Sequence, residues 1–211
     1  MDHVDAYCER LAPGLWAEPL NAVSNAAFLI AAALLWWRHR PRPKSLRALP
    51  VLLALVGLGS LSFHTVADTL TNWFDVGFIA VYVIWYLIVF AHYYLNARWV
   101  LAWLAAPAFV VLAVATGPLT SVVPGGSGIY LAPFLSLLII AVIAWARGLP
   151  WHDLARAAGV FVVSVTLRTL DQPLCGAWPS GTHYFWHLFN AVVLFLVARQ
   201  VIRFQQAADR T

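Results

Sequence analysis

Five residues carry chemistry that an apolar chain does not otherwise need. His183 and His187, in Thr182-His183-Tyr184-Phe185-Trp186-His187, are spaced so that on a helix their imidazoles stand one above the other and can share one metal ion. Ser60 and His64, in Ser60-Leu61-Ser62-Phe63-His64, repeat that spacing, and Asp75 follows a short distance on. Three neutral imidazoles with a fourth position open form the ligand set of a catalytic zinc site, where the pKa of a bound water falls to about 7 and the water becomes a nucleophile. A carboxylate nearby, Asp75, would accept or orient that water's proton, and the Ser60 hydroxyl would hydrogen-bond the water or the developing oxyanion. Each feature alone has a plainer reading. A single histidine at a membrane boundary serves as a polar anchor or a helix-packing group, and an HxxxH pair by itself is a weak motif. It is the conjunction that points to a metal.

The elements that must bring these residues together are set by composition. The chain has 211 residues, 62% of them hydrophobic and only 10% charged, with a mean hydropathy of +0.77. A soluble domain carries about a quarter of its residues as charges. A water-soluble enzyme, a disordered tail and a disulfide-dense secreted module are therefore excluded, and the two cysteines, Cys8 and Cys175, form no CxxC metal pair. Seven apolar stretches approach the roughly 20 residues a spanning helix needs, at 20–37, 46–65, 73–95, 99–116, 129–146, 154–170 and 184–204. The expectation is an all-α, seven-transmembrane helix bundle occupying 1–211 as a single membrane domain, with 1–19 as an outer N-terminal segment. That segment carries Asp2, Asp5, Glu9 and Glu18 in place of a basic leader, so it does not read as a cleavable signal peptide.

Charge position orients the bundle. Arg38, Arg40, Arg42, Lys44, Arg47, Arg98, Arg147, Arg156, Arg199, Arg203 and Arg210 fall on one side of the seven spans, and only Arg10 and Arg168 on the other. Basic residues accumulate on the cytoplasmic side, which places the N-terminus outside and the C-terminus in the cytoplasm. The net charge of +4 is thereby a topology signal, and no nucleic-acid partner is expected. In that orientation the second span ends outward near His64, while the third and seventh start near Asp75 and His183. Three separated parts of the chain thus arrive at one outer boundary. His3, His39, His92 and His152 read as interfacial, Asp68 as a solvated loop residue, and Arg168 with Asp171 as an ion pair. Asn21, Ser24 and Asn25 read as capping and interhelical hydrogen-bonding groups.

The succession Glu18-Pro-Leu-Asn21-Ala-Val-Ser24-Asn25, Ser60-x-x-Phe63-His64, Asp75, Asp171-x-x-x-Cys175 and His183-x-x-x-His187 resembles the alkaline ceramidases, members of a seven-span hydrolase superfamily that includes the adiponectin and progestin receptors. The resemblance covers nearly the whole chain in motif order. It implies a zinc amidase that splits ceramide into sphingoid base and fatty acid, with zinc on His64, His183 and His187 and with Asp75 and Ser60 assisting the water. It implies an outward N-terminus, as the charge count does; the expected location is the plasma membrane, or the inner membrane of a bacterium, with the site toward the outer, periplasmic or lumenal side. It implies a disulfide between Cys8 and Cys175. It also implies a calcium site drawing on Asp5, Glu9 and Glu18, although Leu11 stands where the family has an oxygen-bearing side chain and the Asp5 spacing is shifted by one. The other reading of those carboxylates is an acidic, solvated segment. Beside the ceramidase reading stand a related esterase or amidase acting on another acyl lipid, and a lipid-binding receptor with a structural metal.

Overall fold

The structure is a computed structural model that describes residues 3–210; Asp2, one of the acidic residues counted above, lies outside them. Among the described residues the regular structure is all helical, with no strand beyond one isolated bridge between His3 and Asp68, and the segment 3–18 and the connections are irregular. Six helices are long and apolar enough to cross a membrane: α1 Pro19–His39, α2 Lys44–Val66, α3 Thr69–Tyr94, α4 Trp99–Val122, α5 Pro124–Ala146 and α7 His183–Ala208. Between the last two runs α6, His152–Leu174, of 23 residues. It is as long as its neighbours but carries Asp153, Arg156, Arg168 and Asp171, which set it apart from the six apolar helices.

The helix ends follow from local chemistry. Pro19 opens α1, where its missing N–H costs nothing. Ala67 ends α2 in the left-handed conformation at φ 55°, its N–H closing on the Phe63 carbonyl. Asp68 then starts α3: its Oδ1 accepts the Thr71 N–H at 2.8 Å while Thr71 Oγ1 accepts the Asp68 N–H at 3.1 Å. This reciprocal cap holds the Asp68 carboxyl below its usual range, chiefly through the Thr71 backbone N–H. Asp68 is thus a helix cap and not simply a solvated loop residue. The expected break at Thr116-Gly117-Pro118 is softer than the turn residues suggest, because 117–122 continue as a 3₁₀ segment in which Pro118 sits early, where a donor is not needed.

The strongest helix contacts are α2 on α3 and α6 on α7, with α1 lying against both α2 and α7. Glycines set how closely α2 approaches its neighbours. A Cβ on Gly57 would lie 2.8 Å from Phe28 Cβ of α1, and one on Gly59 would lie 2.6 Å from Phe78 Cδ2 and 2.9 Å from the Phe74 carbonyl of α3. Without a hydrophobic driving force between helices in lipid, such close packing is what holds them. It also carries Ser60 and His64, one turn further on, up against α1, α3 and α7.

The two ends of the bundle differ in charge. At one end the C-terminus of α2 and the N-termini of α3 and α7 meet beneath the segment 3–18. At the other, Arg38, Arg40 and Arg42 line up with Arg47 and the C-terminal turn of α7. There Asp153 accepts from Arg199 Nε at 3.0 Å and from Arg156 Nη1 at 3.0 Å, pinning α6 to α7.

Candidate metal centre

The helices deliver His64, His183 and His187 to one point. One ring nitrogen from each lies within 4.8 Å of the others, and among the described residues this is the one group of His, Cys, Asp and Glu side chains so placed. All three are buried, at 0%, 1% and 1% exposure. Their outer ring nitrogens are held differently. His64 Nδ1 lies 2.6 Å from Glu18 Oε2, and a carboxylate can only accept, so Nδ1 carries the hydrogen and Nε2 keeps its lone pair. His187 Nδ1 lies 2.7 Å from Ser24 Oγ, whose own hydrogen goes to the Asn21 carbonyl at 2.9 Å. That network again leaves Nε2 as the free nitrogen. The His183 ring stacks on Tyr7 with centroids 3.6 Å apart.

The nitrogens facing the common point are poorly satisfied by protein. His64 Nε2 and both ring nitrogens of His183 have no hydrogen-bond partner, and His187 Nε2 has only a long 3.5 Å approach to Ser60 Oγ. Buried polar atoms are almost always paired, and core histidines are no exception. Three imidazoles converging with their lone pairs bare, two of them oriented by a second hydrogen bond, fit a metal ion. Asp75 and Ser60 are buried beside them, at 7% and 2% exposure, the Ser60 hydroxyl 3.5 Å from His187 Nε2. All five residues expected from the sequence are thus in one buried cluster.

The segment 3–18 covers this cluster, and its residues do other work than expected. Arg10, counted only as an outer charge, is buried at 4% exposure. Its Nε donates to Glu18 Oε1 and its Nη2 to the His64 carbonyl at 3.1 Å. Glu18 also accepts Asn21 Nδ2 at 2.9 Å. Burial would raise the Glu18 carboxyl, but the hydrogen bonds it accepts from His64, Asn21 and Arg10 outweigh it and hold it below its usual range. Glu9 accepts the backbone N–H groups of Leu20 at 2.6 Å and Asn21 at 2.9 Å, anchoring the start of α1. Burial raises its carboxyl, and those two donors offset part of the rise. Asp5 is exposed. The expected calcium set of Asp5, Glu9 and Glu18 therefore does not assemble, because Glu18 faces the Arg10 guanidinium and Glu9 faces backbone amides.

Asp171 and Arg168 likewise do not form the expected ion pair. Asp171, at 1% exposure, accepts the N–H groups of Thr182 at 2.7 Å, His183 at 2.9 Å and Cys8 at 3.0 Å. A carboxylate at the start of α7 favours the helix dipole and fixes the first turn, which carries His183 and sets the register of His187 one turn on. Gly181 is required beside it: its φ is +65°, and a Cβ there would collide with the Asp171 carboxylate. Arg168 donates instead to the Gly125 carbonyl at 2.6 Å, Ser127 Oγ at 2.8 Å and the Tyr7 hydroxyl at 3.2 Å, with its guanidinium 5.0 Å over the Tyr130 ring. Burial keeps the Tyr7 phenol protonated, only partly countered by Arg168. The Cys8–Cys175 disulfide is present, with Cα atoms 5.4 Å apart, and ties the covering segment to the end of α6.

Asn21, Ser24 and Asn25 are interhelical and capping groups as expected, Asn25 Nδ2 donating to the Asn21 carbonyl at 2.8 Å. Ser24 does more than the sequence suggested, since it orients a candidate ligand. Below the cluster an apolar cavity runs between α3, α5, α6 and α7, walled by Ile79, Tyr82, Leu137, Phe161, Trp186 and Leu194 among others. Compared with known proteins, the chain matches no family model and no curated protein.

Proposed function

We propose that this protein is a zinc-dependent hydrolase of lipid amides working inside the membrane, of the alkaline ceramidase kind, releasing a sphingoid base and a fatty acid from ceramide. The observation that carries the reading is the convergence of three buried imidazoles with bare lone pairs, beside the buried Ser60 and Asp75 and one helical turn from Ile79 and Asn190 of an apolar cavity. His64, His183 and His187 would hold the zinc, with Glu18 and Ser24 keeping two of them in the ligating tautomer. When bound, zinc supplies a Lewis acid that polarises a carbonyl and brings the pKa of a water near 7.

The chain's own residues perform the rest. Asp75 takes the proton released as water adds to the amide carbon, then returns it to the nitrogen as the C–N bond breaks. The water oxygen ends in the fatty acid, and its proton in the amine. Ser60, whose hydroxyl lies 3.5 Å from His187 Nε2, would donate to the developing oxyanion. The cavity keeps the acyl chain in an apolar surrounding and places its carbonyl end at the cluster.

The orientation belongs to the same proposal. With α6 counted as the seventh span, the arginine-rich end is cytoplasmic, the N-terminus is outside and the site opens toward the outer leaflet. The charges of α6 suit a spanning helix, since Asp153, Arg168 and Asp171 all have partners near its ends. Purified protein incubated with ceramide, an acylated glycolipid and a phospholipid should release sphingoid base from the first, detected by product mass. Release of fatty acid from the ester lipids alone would reassign it as an esterase, and turnover of none would overturn the hydrolase reading.

A further inference from the structure

Asn190 is a polar residue that the reaction does not use. It lies on the stripe of α7 that carries His183, His187 and Leu194, one turn deeper than His187, or about 4.5 Å along the helix. It is buried at 2% exposure, it lines the apolar cavity, and its Nδ2 has no hydrogen-bond partner. At this depth there is no bulk water to satisfy it, and an unpaired amide is as unfavourable here as anywhere in a protein. The cavity walls are mostly apolar, with Ile79, Phe161, Trp186, Val193 and Leu194 among them, and the Tyr86 hydroxyl is a second unpaired polar atom on the same lining. An unsubstituted hydrocarbon chain in the cavity would leave the amide unpaired.

We propose that the cavity is built for an acyl chain that carries a hydroxyl close to its carbonyl end, at the 3-position, and that Asn190 is the residue that reads it. The proposal deepens the hydrolase reading above and rests on it. The depth of one helical turn places the oxygen a few atoms from the carbonyl held at the histidine cluster, not at the chain's tail. A hydroxyl is the matching group because it both donates and accepts. It therefore satisfies Asn190 whichever way the amide is turned. The hydrogen bond forms away from water, so its absence from a plain chain is felt as discrimination between substrates.

The test compares N-(3-hydroxytetradecanoyl) and N-tetradecanoyl amides of one sphingoid base, as substrates of the purified protein and of its Asn190→Leu variant. Wild type is expected to favour the hydroxylated amide by about tenfold in kcat/KM. In Asn190→Leu that ratio should fall close to one. A wild-type ratio near one, as an ordered water on Asn190 would produce, overturns the proposal, and so does a ratio that the substitution leaves unchanged. If neither amide is hydrolysed, the hydrolase reading fails, and the two free acids decide the cavity's preference through the fluorescence of Trp186 on its wall. A tenfold tighter binding of the 3-hydroxy acid then sustains the proposal, and equal binding overturns it. The wild-type comparisons stand whether or not the variant folds.

Discussion

Asp75→Asn is expected to lower lipid-amide turnover by about 10²- to 10⁴-fold while the purified protein keeps its metal. The substitution preserves the shape of a residue at 7% exposure but removes the carboxylate proposed to take and return a proton. Asp75 belongs to α3, whereas the three imidazoles are supplied by α2 and α7, so the metal site is left intact. Turnover assayed beside metal content separates this from a folding defect. Wild-type turnover in the variant would remove Asp75 from the proton path.

Glu18→Gln should have the opposite signature, losing metal affinity before anything else. Glu18 accepts from His64 Nδ1 and from Arg10, both buried, so the neutral amide loses two charge-assisted hydrogen bonds and leaves the guanidinium without its counter-charge. Loss of a carboxylate behind a ligating histidine typically costs 10- to 100-fold in metal affinity. Breaking a buried ion pair from one side costs about 3–5 kcal/mol of stability. Metal titration with a competing chelator, and thermal unfolding with excess metal present, measure the two effects. Glu18→Gln with unchanged affinity would mean that the His64 tautomer is set by something else. Since Arg10 already neutralises Glu18, added calcium should not restore either quantity.

The five residues of the cluster were legible because each signal is local and the topology is simple. Spacing by four puts His183 with His187 and Ser60 with His64 on single faces, and alternating spans then bring the α2, α3 and α7 ends to one level. The oxygen and guanidinium groups behind them were not legible. Glu18 reads as an acidic residue before a span, and Arg10 as an exception to the charge asymmetry. Only the fold of segment 3–18 over the bundle shows them facing each other and His64. Asp171 and Arg168 are near in sequence and opposite in charge, which suggests a pair. On α6 they point apart, one to the start of α7 and the other to Tyr7 and the 124–130 turn. The helix count differs too: seven apolar stretches were expected, six helices are long and apolar enough to cross a membrane, and the stretch 154–170 falls on the more polar α6, whose charges find partners on other elements. Asn190 carries no sequence signal at all, since a lone asparagine in an apolar helix is usually a packing group.

A hydrolase of this kind requires the three imidazoles to hold one metal ion. The most direct test is the metal content of the detergent-purified protein by elemental mass spectrometry, for wild type and for His183→Ala, with lipid-amide hydrolysis measured on the same samples. About one zinc per wild-type chain is expected, with near-complete loss of both zinc and hydrolysis in the variant. Wild-type protein that hydrolyses lipid amides without bound metal, or a His183→Ala variant that keeps both metal and activity, would contradict it.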